Sequence, residues 1–136
     1  MLVDDAYNAS PASVSAAMAM LAEKTPLRNG RRIVVLADML ELGLEGPKLH
    51  RQLVEPIVRA GVDRVYVAGT LVGHLWNALP KHLRGQWVQS ASAMISVLKA
   101  ELADGDVVLF KGSKANGLSE VVKALRDLCQ GAAEQA

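Results

Sequence analysis

The sequence lacks most of what specialised architectures depend on. Its one cysteine, Cys129, has no partner in the chain, so no internal disulfide frames the fold and a reducing compartment, the cytoplasm, is expected. Aromatic residues make up 4% of the chain, and fifteen basic against fourteen acidic side chains leave a formal net charge of +1. With no basic face and no aromatics interleaved among basic residues, nucleic acid is not an expected partner. Apolar runs end after a few residues, far short of the roughly 20 that cross a bilayer, so no membrane insertion is expected. The first residues carry no basic segment followed by an apolar core, so they do not read as a signal peptide. His50, His74 and His82 stand 24 and 8 residues apart, which matches no zinc-ligand spacing, and no metal site is expected from this chain.

What is present suits one folded domain spanning all 136 residues, half of them hydrophobic. Arg32-Ile33-Val34-Val35-Leu36-Ala37, Arg64-Val65-Tyr66-Val67-Ala68 and Asp106-Val107-Val108-Leu109-Phe110 are nearly continuous apolar runs closed by polar residues or glycine. Such runs read as parallel strands covered on both faces. Val3 reads as the end of another strand, and Gln86-Trp87-Val88 as a weaker one. Val14, Ala17, Met18 and Leu21 make one face of a helix, with Ser10 as its N-cap and Pro11 in its first turn. Leu118, Val121, Val122, Leu125 and Cys129 repeat the stripe, which makes Cys129 a packing residue. Pro56 should break or kink a helical stretch from Lys48 to Ala60. Residues 131–136 read as a frayed tail. Alternation of strand and helix predicts an α/β fold: a Rossmann-like open, mostly parallel sheet with helices on both faces.

In such folds ligands collect at the carboxyl ends of the strands, where three polar loops fall: Asp4 to Ser10, Asp38 to Gly43, and Lys111 to Gly117. The third nearly spells a P-loop, but Leu118 stands in the lysine place and cannot reach a phosphate. Its backbone N–H groups, with Lys111 or Lys114, can hold an anion, or it can be an ordinary loop with solvated lysines. In the second, Asp38 and Glu41 can orient a cationic group, or form a solvated turn with Met39, Leu40 and Leu42 plugging the core. His50, on the next helix, reads as a packed or surface residue. In the first, Asp5 can accept from a ribose diol, with Tyr7 and Asn8 presenting a ring and an amide to a base. A turn and helix cap without any ligand is the alternative.

Taken together, the loops resemble the Mur ligases. Asp4-Asp5-Ala6-Tyr7-Asn8-Ala9-Ser10-Pro11 is similar to the family's D-[DST]-x-Y-N-A-[NS]-P signature. Val35 to Gly43 is similar to V-L-G-D-M-x-E-L-G, His50 follows where that segment is usually followed by histidine, and Phe110 to Lys114 is similar to V-K-G-S-R. The resemblance covers essentially the whole chain and implies the family's C-terminal domain, the UDP-sugar and central ATPase domains being absent. The first two motifs point to the member that joins D-alanyl-D-alanine to UDP-N-acetylmuramoyl-tripeptide in peptidoglycan synthesis, through an acyl phosphate. ATP and Mg2+ are the implied cofactors, held mostly by the central domain, so the chain alone is expected to be inactive. By the same resemblance Asp5, Tyr7 and Asn8 bind the nucleotide, while Asp38, Glu41, Lys111, Gly112, Ser113 and Lys114 lie near the incoming dipeptide.

Three positions depart from the pattern. Ala37 replaces a glycine, Lys114 replaces an arginine and loses its bidentate fork, and Ser10 replaces a frequent asparagine yet still caps a helix. Two other readings compete: another ligase of the superfamily, such as folylpolyglutamate synthase, or a non-enzymatic α/β nucleotide-binding module. The Tyr-Asn-Ala turn and the Met-x-Glu-Leu-Gly segment argue against the first.

Overall fold

The aliphatic runs form a single five-stranded sheet in the computed structural model, which describes residues 1–5 and 9–135, with side chains except at residue 114 and residues 129–135. The strands are β1 (Leu2–Asp5), β2 (Arg32–Ala37), β3 (Arg64–Ala68), β4 (Arg84–Val88) and β5 (Val107–Lys111). Their order is β1-β5-β2-β3-β4, and every neighbouring pair is parallel. The helices are α1 (Pro11–Ala22), α2 (Gly46–Arg51), α3 (Val54–Arg59), α4 (Val72–Ala78), α5 (Ala91–Glu101) and α6 (Leu118–Gln135).

Alternate residues of each central strand serve opposite layers, which is why the runs are apolar throughout. Val34, Leu36, Val65 and Val67 pack with Met18, Ile57 and Leu75 under α1, α3 and α4. Ile33, Val35, Tyr66 and Phe110 pack with Met94, Leu98 and Val122 under α5 and α6. The edge strand β4 is only partly buried, so its sequence signal is weak. Its Trp87 donates from Nε1 to the Gly69 carbonyl at 2.8 Å.

Helix ends follow from local chemistry. The Ser10 side chain accepts from the Ser13 N–H at 3.1 Å while the Ser10 N–H donates to the Ser13 hydroxyl at 2.8 Å, a reciprocal cap on α1. The stretch containing Pro56 does break, but at Gln52 and Leu53, between α2 and α3. Pro56 sits in the first turn of α3, where its missing N–H leaves the Gln52 carbonyl without that helical partner. The last helix continues through Gln135 and so includes most of the expected tail. The Cys129 side chain lies outside the described residues.

At the amino edge of the sheet a partly buried ion pair fastens β5 to β2. The Asp106 carboxylate, 2% exposed, accepts from the Arg31 and Ala103 N–H groups, each at 2.9 Å, and from Arg31 Nη2 at 3.1 Å. Burial pushes the Asp106 carboxyl up, but the Arg31 guanidinium and the two N–H donors outweigh it and hold the group below its ordinary value. Tyr66, buried under α5, donates to Glu101 Oε1 at 3.3 Å, and its phenol is raised first by burial and then by the Glu101 charge.

Candidate functional site

The carboxyl ends of β1, β5 and β2 lie side by side, with Asp5 paired in register to Lys111 and Lys111 to Leu36. The chain leaves β1 and β2 toward the α1 and α2 layer but leaves β5 toward α6 on the other face. Neighbouring connections that diverge this way open a crevice at the sheet edge, the usual ligand position in this architecture. The strand ends from which the three predicted loops leave therefore meet at one place.

The strands run further than their apolar runs. Asp5 is the last residue of β1 and Lys111 the last of β5. By strand alternation Lys111 follows Val107 and Leu109 onto the α1 side, and Asp5 follows Val3 onto the same side. The two side chains meet there: Lys111 Nζ donates to Asp5 Oδ2 at 3.0 Å. The Lys111 side chain is 3% exposed and that of Asp5 is 42% exposed. A buried ammonium requires a counter-charge, and the neighbouring strand supplies it.

Beyond Lys111 the chain packs closely against β2. A Cβ at Gly112 would lie 3.0 Å from Leu118 and 3.1 Å from the Ala37 Cβ, so the alanine at position 37 is accommodated beside a glycine. The Ser113 N–H donates to Asn116 Oδ1 at 2.6 Å, closing a turn over Lys114–Asn116. Gly117 then takes a positive φ of 81° at the entry to α6. A cleft of about 270 Å³, lined by Ser90, Ser92, Asn116, Gly117 and Glu120 among others, flanks this turn. A larger groove of about 960 Å³ between α1 and the α2–α3 segment includes none of Asp5, Asp38 or Lys111. The Lys114 side chain, like Tyr7 and Asn8, lies outside the described residues.

The second loop is held from within. Asp38 Oδ1 accepts from the Val72 N–H at 2.9 Å and Oδ2 from the Thr70 N–H at 3.2 Å. Those bonds tie the end of β2 to the loop after β3. Gly69 makes room for them, since a Cβ there would come within 2.6 Å of the Asp38 carboxylate. Met39 is buried and Leu42 packs against the core, as expected, but Leu40 is exposed. Glu41 is exposed and adopts a positive φ of 63°, uncommon for a residue with a side chain.

His50 is fully buried and braces the same loop, a role its position in the sequence did not reveal. Its Nε2 lies 2.9 Å from the Met39 N–H, and its Nδ1 lies 2.6 Å from the Gly46 carbonyl. A backbone N–H can only donate, so Nε2 is the acceptor. The ring proton is on Nδ1, which donates to Gly46. Asn116 was likewise missed as a brace; an asparagine just before a glycine that opens a helix was the available signal.

This edge thus presents a half-exposed carboxylate able to accept from hydroxyls, and a tight glycine-containing turn leading into a helix. Among the described residues, no three His, Cys, Asp or Glu side chains come together as metal ligands, and no helix is long and apolar enough to cross a membrane.

Residues 1–114 match the family model for "Mur ligase, glutamate ligase domain". The chain is 36% identical over 129 residues to the UDP-N-acetylmuramoyl-tripeptide–D-alanyl-D-alanine ligase of Escherichia coli, covering 93% of this chain and 27% of that protein. It is 32% identical over 127 residues to the enzyme of that name from Bacillus subtilis, covering 91% and 27%. Among solved structures it resembles a MurF ligase from Thermotoga maritima in complex with ADP, at 28% identity and a TM-score of 0.73, over 90% of this chain and 27% of that one. A MurF from Acinetobacter baumannii, at 22% identity and a TM-score of 0.76 over 93% and 27%, shares the fold. The chain therefore spans about a quarter of the length of the relatives it matches.

Proposed function

This chain belongs to the Mur ligase family, which it matches through the glutamate ligase domain, and on that footing we propose that it is the C-terminal domain of an ATP-dependent amide ligase. The ligase joins D-alanyl-D-alanine to UDP-N-acetylmuramoyl-tripeptide in the cytoplasm, for peptidoglycan synthesis. The observation that carries this reading is the convergence of the β1, β2 and β5 ends, with their three motifs, at one edge of the sheet. The names of the relatives and the ADP bound to a neighbour support the choice of substrates and nucleotide. They favour this ligase over a folylpolyglutamate synthase or a binding module.

ATP supplies the phosphoryl group that turns the tripeptide carboxylate into an acyl phosphate, replacing a poor leaving group with a good one. The residues of this domain bind and orient. Asp5 fits a ribose diol, since its carboxylate stands at the strand end and remains partly open to solvent. Tyr7 and Asn8, assigned from the motif, line the base side. From the motifs, Gly112, Ser113 and Lys114 are assigned to the dipeptide carboxylate and Glu41 to its amine, beside a loop shaped by Asp38. Holding amine and acyl group in register is worth several kcal/mol. By the family resemblance Mg2+ is assigned, with ATP, mostly to the central ATPase domain of the ligase.

The test is amide-bond formation by the complete polypeptide that contains this domain. With ATP, UDP-N-acetylmuramoyl-tripeptide and D-alanyl-D-alanine it should release phosphate and form the pentapeptide, whereas this chain alone should release none. A complete polypeptide that binds ATP but ligates no dipeptide would leave the binding-module reading standing instead.

A further inference from the structure

The position of Lys111 points to a role distinct from dipeptide binding. Its side chain is 3% exposed, and its ammonium reaches from β5 across to Asp5 on the edge strand β1. An incoming carboxylate would have to enter the protein to reach Nζ. Asp5, by contrast, is 42% exposed although Lys111 takes one of its oxygens. It can accept from a ligand while still held.

β1 is bonded to the sheet along one side only, so an aspartate at its end has no second strand to restrain it. A fixed cation on the adjoining strand supplies that restraint. Held at 3.0 Å by a lysine that packing itself immobilises, the carboxylate keeps one orientation at the crevice instead of several. We infer that Lys111 is a positioning residue for the nucleotide: it fixes the Asp5 carboxylate in the pose that accepts the ribose diol and does not itself touch the dipeptide. The inference rests on the ribose assignment for Asp5.

Kinetics of the complete ligase separate the alternatives. Lys111→Met should raise the KM for ATP by about tenfold, the scale of a lost charge-assisted hydrogen bond, and leave the KM for D-alanyl-D-alanine within about twofold. Because both residues act through one contact, Lys111→Met should add little to Asp5→Ala. The pair should also melt higher than Asp5→Ala alone, which strands a buried ammonium. Lys111→Gln, which keeps a donor without the charge, gives the same comparison if methionine does not fold. A rise confined to the dipeptide KM, or effects of the two substitutions that multiply, would overturn the assignment of Lys111. An Asp5→Ala ligase with unchanged ATP kinetics would instead remove the ribose assignment, and this inference with it.

Discussion

Asp38 offers the most direct separation of scaffold from site. Its motif suggests a group facing substrate, yet both carboxylate oxygens accept backbone N–H groups of the loop after β3. The bond to Val72, at 2.9 Å, is partly buried, whereas the bond to Thr70, at 3.2 Å, is exposed. A partly buried charge-assisted bond contributes about 1.5–2 kcal/mol and the exposed one about half a kcal/mol. Asp38→Ala should therefore cost roughly 2–2.5 kcal/mol, which lowers the Tm of a domain this size by roughly 6–12 °C. Asp38→Asn should cost about half as much, because its carbonyl can serve Val72 while its NH2 faces a second donor at Thr70. Thermal melts of this chain, with urea midpoints at 25 °C, measure the effect directly. If Asp38→Ala melts within about 2 °C of the wild type while the dipeptide KM of the ligase rises, the strut is refuted and Asp38 is a ligand group.

The sequence made the alternation of elements legible because β2, β3 and β5 are buried on both faces and so spell continuous apolar runs. It made the convergence of loops legible because a parallel sheet puts every strand's carboxyl end on one edge. The boundaries were less visible. Apolar runs stop at Val3 and Phe110, but the ladder continues to Asp5 and Lys111. Each charge resembles the start of a loop when read alone, and each is tolerated in the strand because the other is opposite it. Their sequence separation is 106 residues, and only the insertion of β5 between β1 and β2 makes them neighbours. α4, with seven residues, is too short for a periodic stripe. Asp38 turned out to brace the fold, where the sequence had suggested either a ligand group or a solvated turn. Partners that are backbone N–H groups on a distant loop leave no mark in composition or spacing.

Two further predictions concern braces of the scaffold, one under the second loop and one at the amino edge of the sheet. His50→Ala should lower stability by about 2–4 kcal/mol, since it leaves a buried N–H and a buried carbonyl unpaired and opens a void. Exchange of the Met39 amide should quicken with it, and unchanged exchange would show that the loop does not depend on His50. The Arg31–Asp106 pair sets an acid limit. Burial works against the Asp106 carboxylate, yet Arg31 and two N–H groups leave its folded value below the unfolded value of about 4. The folded state therefore binds this proton less readily than the unfolded state does. The stability it confers is fully present above about pH 4 and drains away as the pH falls through the lower folded value. Asp106→Asn, which has no proton to take up there, should be less stable than the wild type at pH 7, and the gap should narrow steadily below about pH 4. Urea midpoints of both proteins across that range decide the matter. A gap that stays constant into acid would mean that the carboxylate's charge contributes nothing and that its hydrogen bonds alone hold β5 against β2.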